Sequence, residues 1–189
     1  MMNFEFATAT RIVFGRGAAA RIGAEAAALG RHAFVLTGSR PERISALLRQ
    51  IENHHVRHTL FRVAQEPTTE LVLDAVRHAV AAGCDLVIGV GGGSVIDAGK
   101  VVAALLTNGG DPLDYLEVIG AGRAVERVSA AFIAVPTTAG TGAEVTRNAV
   151  LESKVHRVKA SMRSPFMLPR LALVDPELTF SMPPGLTAA

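Results

Sequence analysis

The sequence predicts an α/β protein built on a parallel sheet, and three observations predict it. Short apolar runs alternate with amphipathic or alanine-rich helical stretches along most of the 189 residues. The run Leu86-Val87-Ile88-Gly89-Val90 is apolar throughout, as a strand buried on both faces requires. It passes directly into Gly91-Gly92-Gly93-Ser94, a turn that lets the backbone swing sharply from strand to helix.

Taken in order, residues 11–14 read as a short strand, and residues 17–29 as an alanine-rich helix stopped by Gly30. Residues 32–37 form the next strand. Residues 41–51 follow as a helix with proline in its first turn, and residues 56–63 as a strand. Over residues 68–82, Leu71, Val72, Ala75, Val76, Ala79 and Val80 make one apolar stripe of a helix capped by Thr68 and closed by Gly83, expected to pack on the sheet. Residues 85–90 are the central strand, and residues 94–106 the helix behind the glycine turn, ended by Asn108-Gly109-Gly110. Residues 132–135 read as a further buried strand. It is broken by Pro136-Thr137-Thr138-Ala139-Gly140-Thr141-Gly142, a loop too rich in hydroxyls and glycine for core and expected beside the glycine turn. Residues 146–163 suit a hairpin, residues 171–174 a last strand, and Asp175-Pro176 the start of a short helical turn. Pro183-Pro184-Gly185-Leu186-Thr187-Ala188-Ala189 carries helix-start signals without the length for a helix, so the chain reads as cut there.

The glycine turn has two readings. A helix opening at the carboxyl end of a parallel strand aims free N–H groups and the positive end of its dipole outward, which suits a phosphate-bearing ligand. Alternatively, Ser94 with Asp97 three residues on is a capping box, and the glycines serve packing alone. The spacing is neither Gly-x-Gly-x-x-Gly nor the Gly-Lys-Ser/Thr P-loop, so it does not name a nucleotide.

Composition excludes several classes. Hydrophobic residues make up 49% and charged residues 19%, a balance that packs a core and does not stay disordered. Nineteen basic against seventeen acidic residues leave a formal charge of +2 with the arginines scattered, which gives nucleic-acid binding no support. Cys84 is the only cysteine, so no intrachain disulfide forms; its place before a buried strand favours inert packing and a reducing compartment. No leader-like or membrane-length apolar run is present, and the expected location is the cytoplasm, with no membrane partner.

Three segments together are similar to the iron-containing (group III) alcohol dehydrogenase family. They are Gly91-Gly92-Gly93-Ser94-Val95-Ile96-Asp97-Ala98-Gly99-Lys100, the run Pro136-Thr137-Thr138-Ala139-Gly140-Thr141-Gly142-Ala143-Glu144-Val145-Thr146, and Val174-Asp175-Pro176-Glu177-Leu178-Thr179. The resemblance extends through Glu66-Pro67-Thr68 and Thr107-Asn108-Gly109-Gly110-Asp111 and covers nearly the whole chain. It implies that residues 1–180 are a parallel-sheet, Rossmann-like dinucleotide-binding domain and that residues 181–189 are the truncated start of an all-helical, metal-binding C-terminal domain absent here. The implied activity is NAD(P)-dependent hydride transfer between a small alcohol and its aldehyde or ketone, inactive as this fragment. The divalent metal, iron or zinc, is expected only in a complete enzyme, and no metal ligand or catalytic residue is assigned in this chain.

By the same resemblance, Gly92, Gly93 and Ser94 hold the pyrophosphate and Asp97 lies near the nicotinamide-side ribose. Thr138 and Thr141 line the opposite wall, and Asn148 and Lys159 reach the ribose and nicotinamide half from the hairpin. Without it, the threonines read as turn caps, Asn148 as a strand-edge group and Lys159 as a solvated cation. Many relatives place an aspartate after the second strand, where this chain has Thr37-Gly38-Ser39-Arg40. With Gly38 and Ser39 there and an arginine beside them, NADP is expected to be accepted at least as well as NAD. A homodimer paired through N-terminal strands is left open. So are a maleylacetate-reductase-like enzyme, a dehydroquinate synthase-like lyase, and a non-catalytic nucleotide-binding remnant.

Other groups are set aside. His54 and His58 are four apart, but the segment bridges a helix end and a strand, where a helical ligand pair does not persist. Ser94 lacks the Gly-x-Ser-x-Gly setting of a nucleophile. Glu144 and Arg147 read as a local charge pair of little worth.

Overall fold

The computed structural model describes residues 3–180 and 182. Six strands form one wholly parallel sheet, in the order residues 12–14, 171–174, 131–136, 86–91, 32–37 and 57–62. The strands are β1 (Ile12–Phe14), β2 (His32–Thr37), β3 (Arg57–Arg62), β4 (Leu86–Gly91), β5 (Ala131–Pro136) and β8 (Leu171–Val174). The intervening β6 (Asn148–Ser153) and β7 (Val158–Arg163) pair antiparallel as the expected hairpin. Residues 181 and 183–189, where the start of a helical domain was expected, lie outside the described residues.

Strands β2 and β4 are buried at every position, because helices cover both faces of the sheet. On one face α1 (Ile22–Ala27) and α2 (Ser45–Asn53) bring Ile22, Ala26, Leu47 and Ile51 against Val35, Leu86, Ile88 and Ile133. On the other, α3 (Thr69–Ala81), α4 (Gly93–Asn108) and the hairpin bring Val72, Ala75, Ile96, Val101 and Leu151 against Phe34, Val87 and Phe132. The short helix α5 (Pro112–Tyr115) closes this layer through a full Asp111/Asp114 capping box, a feature the sequence reading missed. The helix expected over 17–29 starts as a 3-10 turn (Ala18–Arg21), and the one over 41–51 does likewise (Pro41–Ile44).

Helix α3 departs from its expected stripe at Val80, which is 60% exposed. Its buried side is Val72, Ala75, Val76 and Ala79, directed at α4 as well as at the sheet. A six-residue stripe is wider than the surface one flanking helix can cover. Helix α4 lies very close to the sheet because glycines leave room for Phe132. A Cβ on Gly99 would come within 2.6 Å of its ring and one on Gly89 within 3.2 Å.

The register sets the functional end of the sheet. Thr37 of β2 is level with Val90 of β4, and Val90 is level with Val135 of β5. The segments after these strands therefore emerge side by side. The chain runs outward from β2 to β3, returns to β4 and continues the other way to β5 and β8, so the strand order reverses between β2 and β4. Such a reversal opens a crevice at the carboxyl ends of the strands.

Candidate nucleotide site

A cavity of about 660 Å³ sits at that crevice. Its floor and near walls are Thr37, Gly38 and Ser39 after β2, Val90, Gly91 and Gly92 at the end of β4, and Thr137 after β5; Arg40, Arg43, Ile44, Glu177 and Leu178 complete it. The loop after β5 is tied to the glycine turn where the Thr137 N–H donates to the Gly91 carbonyl at 2.9 Å, as the expected adjacency required.

The three glycines do different jobs. A Cβ on Gly91 would fall 2.5 Å from Val95 Cγ2, so this position is glycine to let α4 fold back on the strand. A Cβ on Gly92 would project toward the facing loop, 3.1 Å from Thr138 Oγ1, and one on Gly93 would make ordinary contact with Thr141 at 3.5 Å. Gly92 is the N-cap of α4 in extended backbone, and no side chain caps the helix. The capping-box reading of Ser94 and Asp97 is therefore overturned: Ser94 lies one residue inside the helix, and both oxygens of Asp97 are engaged elsewhere. The N–H groups of Gly93 and Ser94 have no hydrogen-bond partner among the described residues. Free donors at a helix start and a Cβ-free approach at Gly92 fit a diphosphate.

Behind the turn, α4 is bolted to the hairpin by Lys100, whose side chain is fully buried. Its ammonium has three protons and finds three acceptors: Asp97 Oδ1 at 3.3 Å, Thr146 Oγ1 at 2.9 Å and the Asn148 carbonyl at 2.7 Å. The other Asp97 oxygen accepts the Val150 N–H at 3.0 Å. Burial pushes the Asp97 carboxyl above its ordinary value and the Lys100 ammonium below its own, each opposed by the other's charge. The Cys84 thiol is likewise pushed up by burial, in keeping with an inert role.

The expected site residues thus fall into groups. Gly38, Ser39 and Gly92 line one cavity, whereas Thr138 faces Gly92 and Thr141 faces Gly93 beside it without belonging to its lining. Ser94 and Lys159 meet through Glu66, whose carboxylate lies 3.4 Å from Ser94 Oγ and 3.0 Å from Lys159 Nζ. Asp97 serves the α4–hairpin contact. Asn148 lines a separate hollow with Thr146, Arg147 and Arg163. Lys100, Glu66, Arg43, Glu177 and Leu178 were not assigned from the sequence. The signal for Lys100 was present, since a lysine on the buried side of a helix calls for acceptors; Glu177 and Leu178 lie in a segment that carries the family resemblance, but nothing local to it places them at the cavity. Arg147 pairs with Glu5 at 3.5 Å and not with Glu144, of which one buried oxygen has no partner among the described residues. No three His, Cys, Asp or Glu converge on a metal position among the described residues, His54 and His58 included. No helix among them is long and apolar enough to cross a membrane.

Residues 9–176 match the family model for iron-containing alcohol dehydrogenases. The chain belongs to that family. Its relatives in the iron-containing alcohol dehydrogenase family include a 4-hydroxybutyrate dehydrogenase of Cupriavidus necator, 43% identical over 123 residues, covering 65% of this chain and 32% of the relative. A long-chain-alcohol dehydrogenase of Geobacillus thermodenitrificans is 40% identical over 148 residues, covering 78% and 36%. Among solved structures, sulfoacetaldehyde reductase from Bifidobacterium kashiwanohense in complex with NAD+ superposes with a TM-score of 0.88 at 32% identity, over 100% of this chain and 50% of that one. The chain therefore spans between 32% and 50% of the length of these relatives.

Proposed function

We propose that this chain is the nucleotide-binding part of an NAD(P)-dependent dehydrogenase that interconverts a small alcohol and its aldehyde or ketone. The observation that carries the reading is the Gly92–Ser94 turn, with its unpartnered N–H groups, opening on a cavity between the level ends of β2, β4 and β5. The turn takes the diphosphate, and Gly38 and Ser39 border the adenosine side. Thr138 and Thr141 close the facing wall. The nicotinamide supplies hydride chemistry when bound, while the protein fixes its position and keeps the phosphates neutralised. Among the described residues no three His, Cys, Asp or Glu come together, so they do not form a metal site. These 189 residues are expected to bind the cofactor without alcohol-dependent reduction.

Cofactor choice follows from the rim after β2. Ser39 and Arg40 are exposed there, the Ser39 carbonyl is held by Arg62 Nη2 at 2.9 Å, and the first four residues after β2 that line the cavity include no carboxylate. A 2′-phosphate meets hydroxyl and guanidinium donors at this rim, while Glu177 approaches from the far wall. NADP is therefore taken at least as well as NAD. Calorimetric titration of the purified chain with each cofactor tests both statements. Heat from neither overturns the nucleotide site, and a tenfold preference for NAD overturns the rim argument alone.

A further inference from the structure

We propose that Glu66 is a built-in competitor for the anion position at the start of α4, and that Lys159 changes partner from Glu66 to the nucleotide's phosphates on binding. This rests on the nucleotide reading above. Glu66 stands beside the cradle: its Oε1 is 3.4 Å from the hydroxyl of Ser94, the second residue of α4, and its Oε2 accepts from Lys159 Nζ at 3.0 Å. The separation from Ser94 is long for a bond between two oxygens, so the carboxylate is held near the turn chiefly by Lys159 and by its own backbone.

That backbone is pinned. The Glu152 N–H of the hairpin donates to the Pro67 carbonyl at 2.9 Å, and Thr68 both bridges to Glu152 and caps α3 by accepting the Leu71 N–H at 3.2 Å. Glu66 is thus delivered to the mouth of the cradle by a segment that has little freedom to withdraw. The ion pair itself is open to water, with the two side chains 58% and 56% exposed, and such pairs exchange partners at small cost. A diphosphate on the Gly93 and Ser94 N–H groups would bring negative charge beside the Glu66 carboxylate, which repels it, and beside a lysine able to turn to it.

Calorimetry on the full 189-residue chain decides this, with NAD and the nicotinamide-free probe ADP titrated into wild type, E66Q, K159M and the double variant. E66Q is expected to bind both ligands about three- to tenfold more tightly at low salt, with the gain shrinking as salt screens the repulsion. K159M is expected to weaken binding more in the E66Q background than in wild type, because Lys159 is then free of its carboxylate. E66A should change affinity in the same direction as E66Q. Wild-type binding with E66Q unchanged or weaker overturns the inference and makes Glu66 an idle or supporting group. Absence of binding by wild type overturns the nucleotide reading and this inference with it.

Discussion

Replacing Lys100 with methionine is the sharpest test of how the site is held together. Methionine fills much of the same buried volume, so the loss is electrostatic and not a cavity. It removes bonds of 3.3, 2.9 and 2.7 Å to Asp97, Thr146 and Asn148. Thr146 keeps a partner, since its hydroxyl also donates to the Ala143 carbonyl at 3.2 Å. Asp97 fares worse: its side chain is 17% exposed, and only the Val150 N–H remains to stabilise its charge. Breaking one side of a buried pair costs about 3–5 kcal/mol, because the surviving charge is left uncompensated. For a domain of this size that lowers the unfolding midpoint by roughly 6–20 °C. The double variant K100M/D97N removes both charges and keeps an acceptor for Val150, so its loss should be about 1–2 kcal/mol relative to wild type. Urea unfolding followed by circular dichroism measures both. A single variant within about 1 kcal/mol of wild type, or a double variant as unstable as the single, would refute the account of Lys100 as an ammonium bolting α4 to the hairpin.

Three further outcomes are expected. Gly92→Val should leave stability within about 1 kcal/mol, since Gly92 has φ −77°, yet reduce NAD and NADP affinity at least about tenfold by crowding Thr138 and the phosphate approach; undiminished cofactor heat would contradict it. Gly99→Ala should destabilise by about 1–3 kcal/mol, because its Cβ would meet the Phe132 ring at 2.6 Å, and a neutral change in unfolding midpoint would show that the ring moves aside freely. Asp97 holds its proton more tightly folded than unfolded, its pKa being raised from 3.8 by burial. In that window the folded state binds more protons, so the stability of wild type relative to D97N should fall as pH rises from 3.8 toward the raised folded value. Unfolding curves of the two proteins across acidic pH give the sign directly, and a difference that grows with pH would be the wrong one.

Much of the molecule was legible from local pattern. The central strands were legible because a doubly covered parallel strand must be apolar at successive positions, as Leu86 to Val90 are, while the edge strands β1 and β3, with exposed positions, were legible from their place beside helices in the chain. The turn at Gly91–Gly93 and the hydroxyl-rich loop after Pro136 were read together, since neither composition suits a core. The departures from local pattern fall where long-range packing intervenes. Val80 sits on the helical stripe by periodicity but beyond the edge of what α4 and the sheet cover. Asp97 has the spacing of a capping partner for Ser94, but Lys100 and Val150 claim its carboxylate first.

The alternation of strands and helices, the glycine turn and its place at a strand end depend on neighbours a few residues apart, and the amino-acid order encodes them directly. Folding in three dimensions is what brings Thr37, Val90 and Val135 level, sets Glu177 and Leu178 on the same cavity as Gly38, and puts Glu66 between Ser94 and Lys159. Those relations join residues up to 140 positions apart, and the register of parallel strands and the closeness of α4 to Phe132 fix them; no local spacing encodes either.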